Sequence, residues 1–252
     1  MAIPSTGTLL TSGGTTTSVN LDTINVATFT STAGHLLIAL VANGRGSTAS
    51  GGGTVTISDN FTGSLGTWTT IDSIFGIGSA GDPANFRITG WWSTVGGVGT
   101  GTIHFVASGS GSERRWGWEI LSFTGQTATS PIGTVNTYSS TAGPDATATL
   151  GALGGTQRAV GWFFSLDAVD ILAGTNEVEI AEVAGGTLPT LKAQAEWGTE
   201  AAMNWGSLGT RHNLGVIFSI VGSADAGVTW ILERIERHYP RGVGRGIGRG
   251  VA

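Results

Sequence analysis

A chain of 252 residues with 43 glycines, 12% charged residues and a net charge of −5 can bury a large core and is no disordered polyelectrolyte. Zero cysteines exclude a disulfide framework, a thiolate metal site and a cysteine nucleophile. No apolar run approaches the roughly 18 residues of a membrane-spanning helix, so no membrane insertion is expected.

In chain order, Met1 to Thr6 carries neither a basic stretch nor an apolar one. No secretory signal is therefore expected, and residues 1–30 read as an N-terminal segment leading into the sandwich. Short runs of β-formers then follow one another between glycine turns. Strands are predicted at Leu36 to Ala42, Val55 to Ser58, Thr67 to Phe75, Phe86 to Ser93, Thr102 to Ala107 and Trp116 to Phe123. A polar section from Thr124 to Thr156 reads as a crossing between two halves. Beyond it strands are predicted at Val160 to Leu166, Val178 to Val183, Leu191 to Trp197, Leu214 to Ile220 and Val228 to Arg237.

Gly44 to Gly53, Gly96 to Gly99 and Ser108 to Ser112 supply the clearest turns. No segment holds a 3.6-residue period, so the fold is all-β, a sandwich or a barrel over residues 31–240. The run His35 to Val41 is echoed by Arg158 to Phe164. Both are continuously apolar after a glycine turn, which marks a central strand, buried on both faces, in each half.

The last residues, Arg241 to Ala252, alternate glycine with arginine or an apolar residue. Such a segment has no core of its own and would gain order only from another polypeptide. Residues 231–252 hold five arginines against two glutamates, net +3, so the remainder carries −8. A basic arm on an acidic body favours an acidic neighbour, a second copy of the chain among them. Arg234, Arg237, Arg241, Arg245 and Arg249 are the expected attachment residues. The arm could add as a strand to a sheet edge, bundle with other arms, or bind nucleic acid. Three arginines without interleaved aromatics put nucleic acid last.

Candidate chemistry is sparse. Glu177 and Glu179 would share one face of a strand, and a bulge would turn Glu182 to join them. Some sandwich-fold glycosidases carry carboxylates in such a row, but a solvated acidic strand has the same letters. His35, His104, His212 and His238 stand singly, without metal-ligand spacing, so neither a metal nor a cofactor is expected. Trp91 and Trp92 point to opposite faces and Trp116 and Trp118 to one. They read as core or interface first and as a platform for a host surface glycan second. Arg114 and Arg115 are placed to stack on them.

The stretch Val55-Thr56-Ile57-Ser58-Asp59-Asn60-Phe61 followed by Trp68-Thr69-Thr70-Ile71 resembles one that recurs in β-sandwich domains of bacteriophage virion proteins. Ile103 to Gly109, Trp118 to Gly125 and Ser130 to Gly133 resemble three further stretches of that family. The resemblance covers about residues 30 to 237 and consists of turn-and-strand grammar. It implies a jelly-roll-like antiparallel sandwich with an extended glycine- and arginine-rich C-terminal arm. It further implies a non-enzymatic minor tail or capsid-surface protein, assembled in the host cytoplasm with other virion proteins and copies of itself. Gly133 stands where the family has aspartate, and the arm has no counterpart there.

Overall fold

The computed structural model describes residues 2–15, 22–45, 54–77, 85–108, 114–140, 146–165, 170–185, 191–206 and 213–223. These residues form eighteen strands, and every strand pair between them is antiparallel.

In the first part of the chain they are β1 (Thr8–Gly14), β2 (Thr23–Asn25), β3 (Phe29–Ser31), β4 (Leu36–Arg45), β5 (Val55–Asp59) and β6 (Thr69–Ile77). Next come β7 (Asn85–Thr94), β8 (Gly99–Gly101), β9 (Ile103–Ala107) and β10 (Arg114–Phe123). The second part has β11 (Ile132–Ser140), β12 (Ala146–Thr149), β13 (Gln157–Ser165) and β14 (Leu172–Ala173). It ends with β15 (Glu177–Gly185), β16 (Leu191–Gly198), β17 (Ala202–Gly206) and β18 (Asn213–Val221).

The strand order occurs twice. A five-stranded sheet β1-β10-β4-β7-β6 and a three-stranded sheet β2-β9-β5 are matched by β11-β18-β13-β16-β15 and β12-β17-β14. Leaving aside the extra β3-β8 ribbon, each set has eight strands, and the eight follow the same path. Each set is a jelly-roll-like sandwich in which the fifth strand pairs with the sixth, giving sheets of five and three strands.

The two five-stranded sheets pack on each other. There β1 meets β15 and β11 meets β6, β10 meets β15 and β18 meets β6, β10 meets β16 and β18 meets β7. Each contact has its counterpart with the copies exchanged, so the pair is related by an approximate two-fold axis.

Three apolar cores separate the layers. The central one joins both copies through Leu36, Ile38, Leu40, Phe86, Leu121 and Phe123 on one side and Val160, Trp162, Phe164, Val216, Phe218 and Ile220 on the other. A second core, with Trp91, Phe105, Trp116 and Ile120, lies under the first copy's small sheet. A third, with Phe163, Ile171, Met203, Trp205 and Ile217, lies under the second copy's small sheet. The middle strands β4 and β13 feed a core on each face, which is why both read as uninterrupted apolar runs.

Ten of the eleven predicted strands coincide with strands of the structure, and the eleventh, Val228 to Arg237, lies outside the described residues. Two stretches hold strands beyond those predicted. The leading segment 1–30 contains β1, an edge of the first large sheet. The polar crossing contains β11 and β12. Both stretches are rich in Thr, Ser and Gly because edge strands bury little, and that composition hides them in the sequence.

At the edges the layers touch closely. A Cβ on Gly14 would lie 2.2 Å from the Ala184 carbonyl oxygen of β15. Backbone cannot step aside as a side chain can, so Gly14→Ala should push β1 off β15. We expect a loss of about 1–3 kcal/mol, read as a lower urea midpoint at unchanged m-value.

Candidate functional site

The copies can be compared residue by residue because the same defect occurs in each. The β6–β7 register slips between Thr70 and Asp72, and the β15–β16 register slips between Glu179 and Ala181. The extra residue is an isoleucine each time, Ile71 or Ile180, packed on the central core. Superposing the bulges equates Thr70 with Glu179 and Ser73 with Glu182. It also equates Trp91 with Glu196, Leu40 with Trp162, and Glu119 with Val216. Ionisable groups have thus replaced neutral ones at several positions of one scaffold.

Three of these acids form the row expected from the sequence. Glu179 is in register with Glu196 and Glu182 with Gln194, and cross-strand partners share a face. The bulge therefore does carry Glu182 to the side of Glu177 and Glu179. This is the outer face of the second large sheet, next to β14 and β17.

Glu177 is spent on structure. Its Oε1 accepts from the Asn204 amide at 2.8 Å and its Oε2 from the Gly174 amide at 3.2 Å. The approach is set by Asn176, at φ 67°, and by Gly174, where a Cβ would lie 2.4 Å from the Asn204 carbonyl oxygen.

Glu182 accepts from the Ile171 amide at 3.2 Å and from the Lys192 ammonium. Lys192 also pairs with Asp170 at 3.1 Å. Burial alone would pull the Lys192 pKa down, but its bonds to Glu182 and Asp170 outweigh that and raise it. Glu179, by contrast, is exposed.

Two further carboxyls, unremarked in the sequence, are wholly buried. Glu196 accepts from Gln194 Nε2 at 2.9 Å, and its Oε2 has no partner among the described residues. Burial, followed by hydrogen bonding with Glu177 and the charges of Glu177 and Glu179, pushes its pKa up to about 9. Glu119 lies on β10 two residues from Leu121, hence on the central-core face. Neither of its oxygens has a partner among the described residues. Burial, then Glu179 and Glu182, raise its pKa well above the ordinary carboxylate range. Glu196 is therefore a neutral acid at pH 7, and Glu119 is shifted in the same direction. Each stands inside an otherwise ordinary alternation, and only the comparison of copies singles it out.

An acid beside carboxylates can in principle move a proton, but Glu196 has no exposed surface through which to meet a substrate. Among the described residues no group of His, Asp or Glu has the arrangement of a metal site. A recess of about 210 Å³, lined by His35, Thr94, Val95 and Gln126, is smaller than a usual ligand pocket.

The indoles lie in the cores. Trp91 is 4% exposed and stacks on Phe105 with centroids 5.7 Å apart, and Trp116 has no exposed surface. Half-buried Trp92 packs on the central core and half-buried Trp118 on the second. Both faces of β7 are covered, which places Trp91 and Trp92 in different cores.

Arginine stacking occurs between Arg87 and Phe75 and between Arg158 and Trp197, while Arg115 is buried. His104 bonds Asn25 at 2.7 Å and His35 bonds Ser122 at 2.8 Å, each through Nδ1. The attachment arginines Arg234, Arg237, Arg241, Arg245 and Arg249 lie outside the described residues, as does His238. Comparison with protein-family models, curated proteins and solved structures yields no match.

Proposed function

We propose that this protein is a structural part of a bacteriophage virion, a minor tail or capsid-surface protein held in the particle through its basic C-terminal arm. The observation that carries the reading is the use made of the chemically versatile side chains. Trp91 and Trp116 fill a core, Glu177 ties β15 to β14 and β17, and Glu182 holds Lys192. The body is built as a doubled, layered slab, and the arm is the segment whose composition asks for a partner. Burial of Trp91 and Trp116 takes two of the four candidate indoles away from a glycan platform.

Deleting residues 241–252 should leave the chain soluble and folded by circular dichroism, yet absent from particles purified from the producing host. Normal incorporation of the truncated chain would defeat the anchoring role of the arm.

A further inference from the structure

Four outer edges bound the two large sheets: β1, β6, β11 and β15. β1 and β11 carry no charged residue, and β6 carries only Asp72. β15 carries Glu177, Glu179 and Glu182 on one face. At the two bulge-aligned positions β6 has Thr70 and Ser73, so the fold can build this edge without acid. Glu177 and Glu182 hold structural bonds, which leaves Glu179 as the acid of β15 that the fold does not use.

β15 pairs with β16 alone, so one side of its backbone is open among the described residues. Val178 is 52% exposed and Glu179 is exposed as well. Beneath them, opposite Glu179 in register, sits Glu196, fully buried and with Oε2 unpartnered. The edge thus offers backbone donors and acceptors and one exposed carboxylate, Glu179.

The arm has the complementary pattern. Extended, residues 241–252 put Arg241, Val243, Arg245, Ile247 and Arg249 on one face and bare glycine on the other. Arginine against Glu179 would pair the exposed carboxylate of the row. On the inner face β1 already meets β15 backbone to backbone at Gly14 and Ala184, and only glycine can lie flat beside such a contact.

We propose that the open edge of β15 is the docking site for the 241–252 arm of a second copy of this chain, which adds to it as a sixth strand. The proposal rests on the assembly role given above and names the partner surface. The assembly role calls for a contact between chains, which assigns the arm to a neighbouring copy.

The test uses the full chain. Sedimentation over a range of concentrations should show self-association that weakens as salt rises and is reversed by an excess of a synthetic peptide of residues 241–252. Hydrogen exchange should show protection of β15 amides in the associated form alone. Glu179→Lys should weaken association by at least about tenfold, with an unchanged circular dichroism spectrum. A chain monomeric at every concentration overturns the proposal. So does protection confined to β1, β6 or β11, or protection of β15 already present in the monomer, which would mean closure by its own arm. Absence of the chain from particles, with β15 docking intact, would sink the virion reading and spare this one.

Discussion

Raising the pH from 5 to 9 should lower the melting temperature of this protein by about 10 °C or more, opposite to the usual loss of stability in acid. Glu119 and Glu196 keep their protons in the fold far above the pH at which an unfolded carboxyl loses them. Between those limits the native state binds more protons than the unfolded one, so stability falls as pH rises.

For Glu196 the window runs from about 4.5 to about 9, and stability is fully present below it. At about 1.4 kcal/mol per pH unit, a shift of that size is worth on the order of 6 kcal/mol across the window. The Lys192 ammonium has its pKa raised, so its ion pairs persist over the same range and do not offset the trend.

Two substitutions separate the contributions. Glu196→Gln keeps the shape and removes the titration, and should flatten much of the slope. Glu119→Val installs the residue type of Val216, the equivalent position in the second copy, and should raise stability most at pH 8 to 9. Calorimetry at five or six pH values is sufficient. A melting temperature that climbs through this interval would mean that these carboxyls are ionised and paired in the native protein.

Trp162→Ala should be the most damaging single change in the described chain. Trp162 lies on the middle strand β13, has no exposed surface, and fills the central core beside Ala195. Truncating a buried tryptophan costs about 3–5 kcal/mol. Trp162→Phe should cost less, because the indole N–H has no partner among the described residues and its loss leaves no acceptor empty.

The form of the transition is as telling as its midpoint. The central core takes residues from both copies, so Trp162→Ala should lower one cooperative transition and expose β4 and β13 amides together. Trp205→Ala acts in a core built by the second copy alone. Two resolved transitions in the parent protein would mean that the copies fold as independent domains.

The sequence reading succeeded where burial is two-sided and failed where it is slight. Leu36 to Ala42 and Val160 to Phe164 were recognisable as central strands because each face of β4 and β13 packs on an apolar core. β1 and β11 were missed because an edge strand of Thr, Ser and Gly has almost no alternation to detect.

The doubling left only the faint echo between two strands. Beyond that, the copies share strand path and bulges while their core residues differ, as Trp91 and Glu196 do at one position. The bulged row Glu177, Glu179 and Glu182 was legible from spacing. Glu119 and Glu196 were not, because an acid in an alternating run reads as solvent-facing until a second layer is known to cover it.

Particles purified from the producing host, tested by quantitative mass spectrometry, address the central claim most directly. This chain should be in the particles at a fixed copy number per particle, resistant to washing and released on particle disruption. The chain found only among soluble host proteins, with none in the particle fraction, would contradict it.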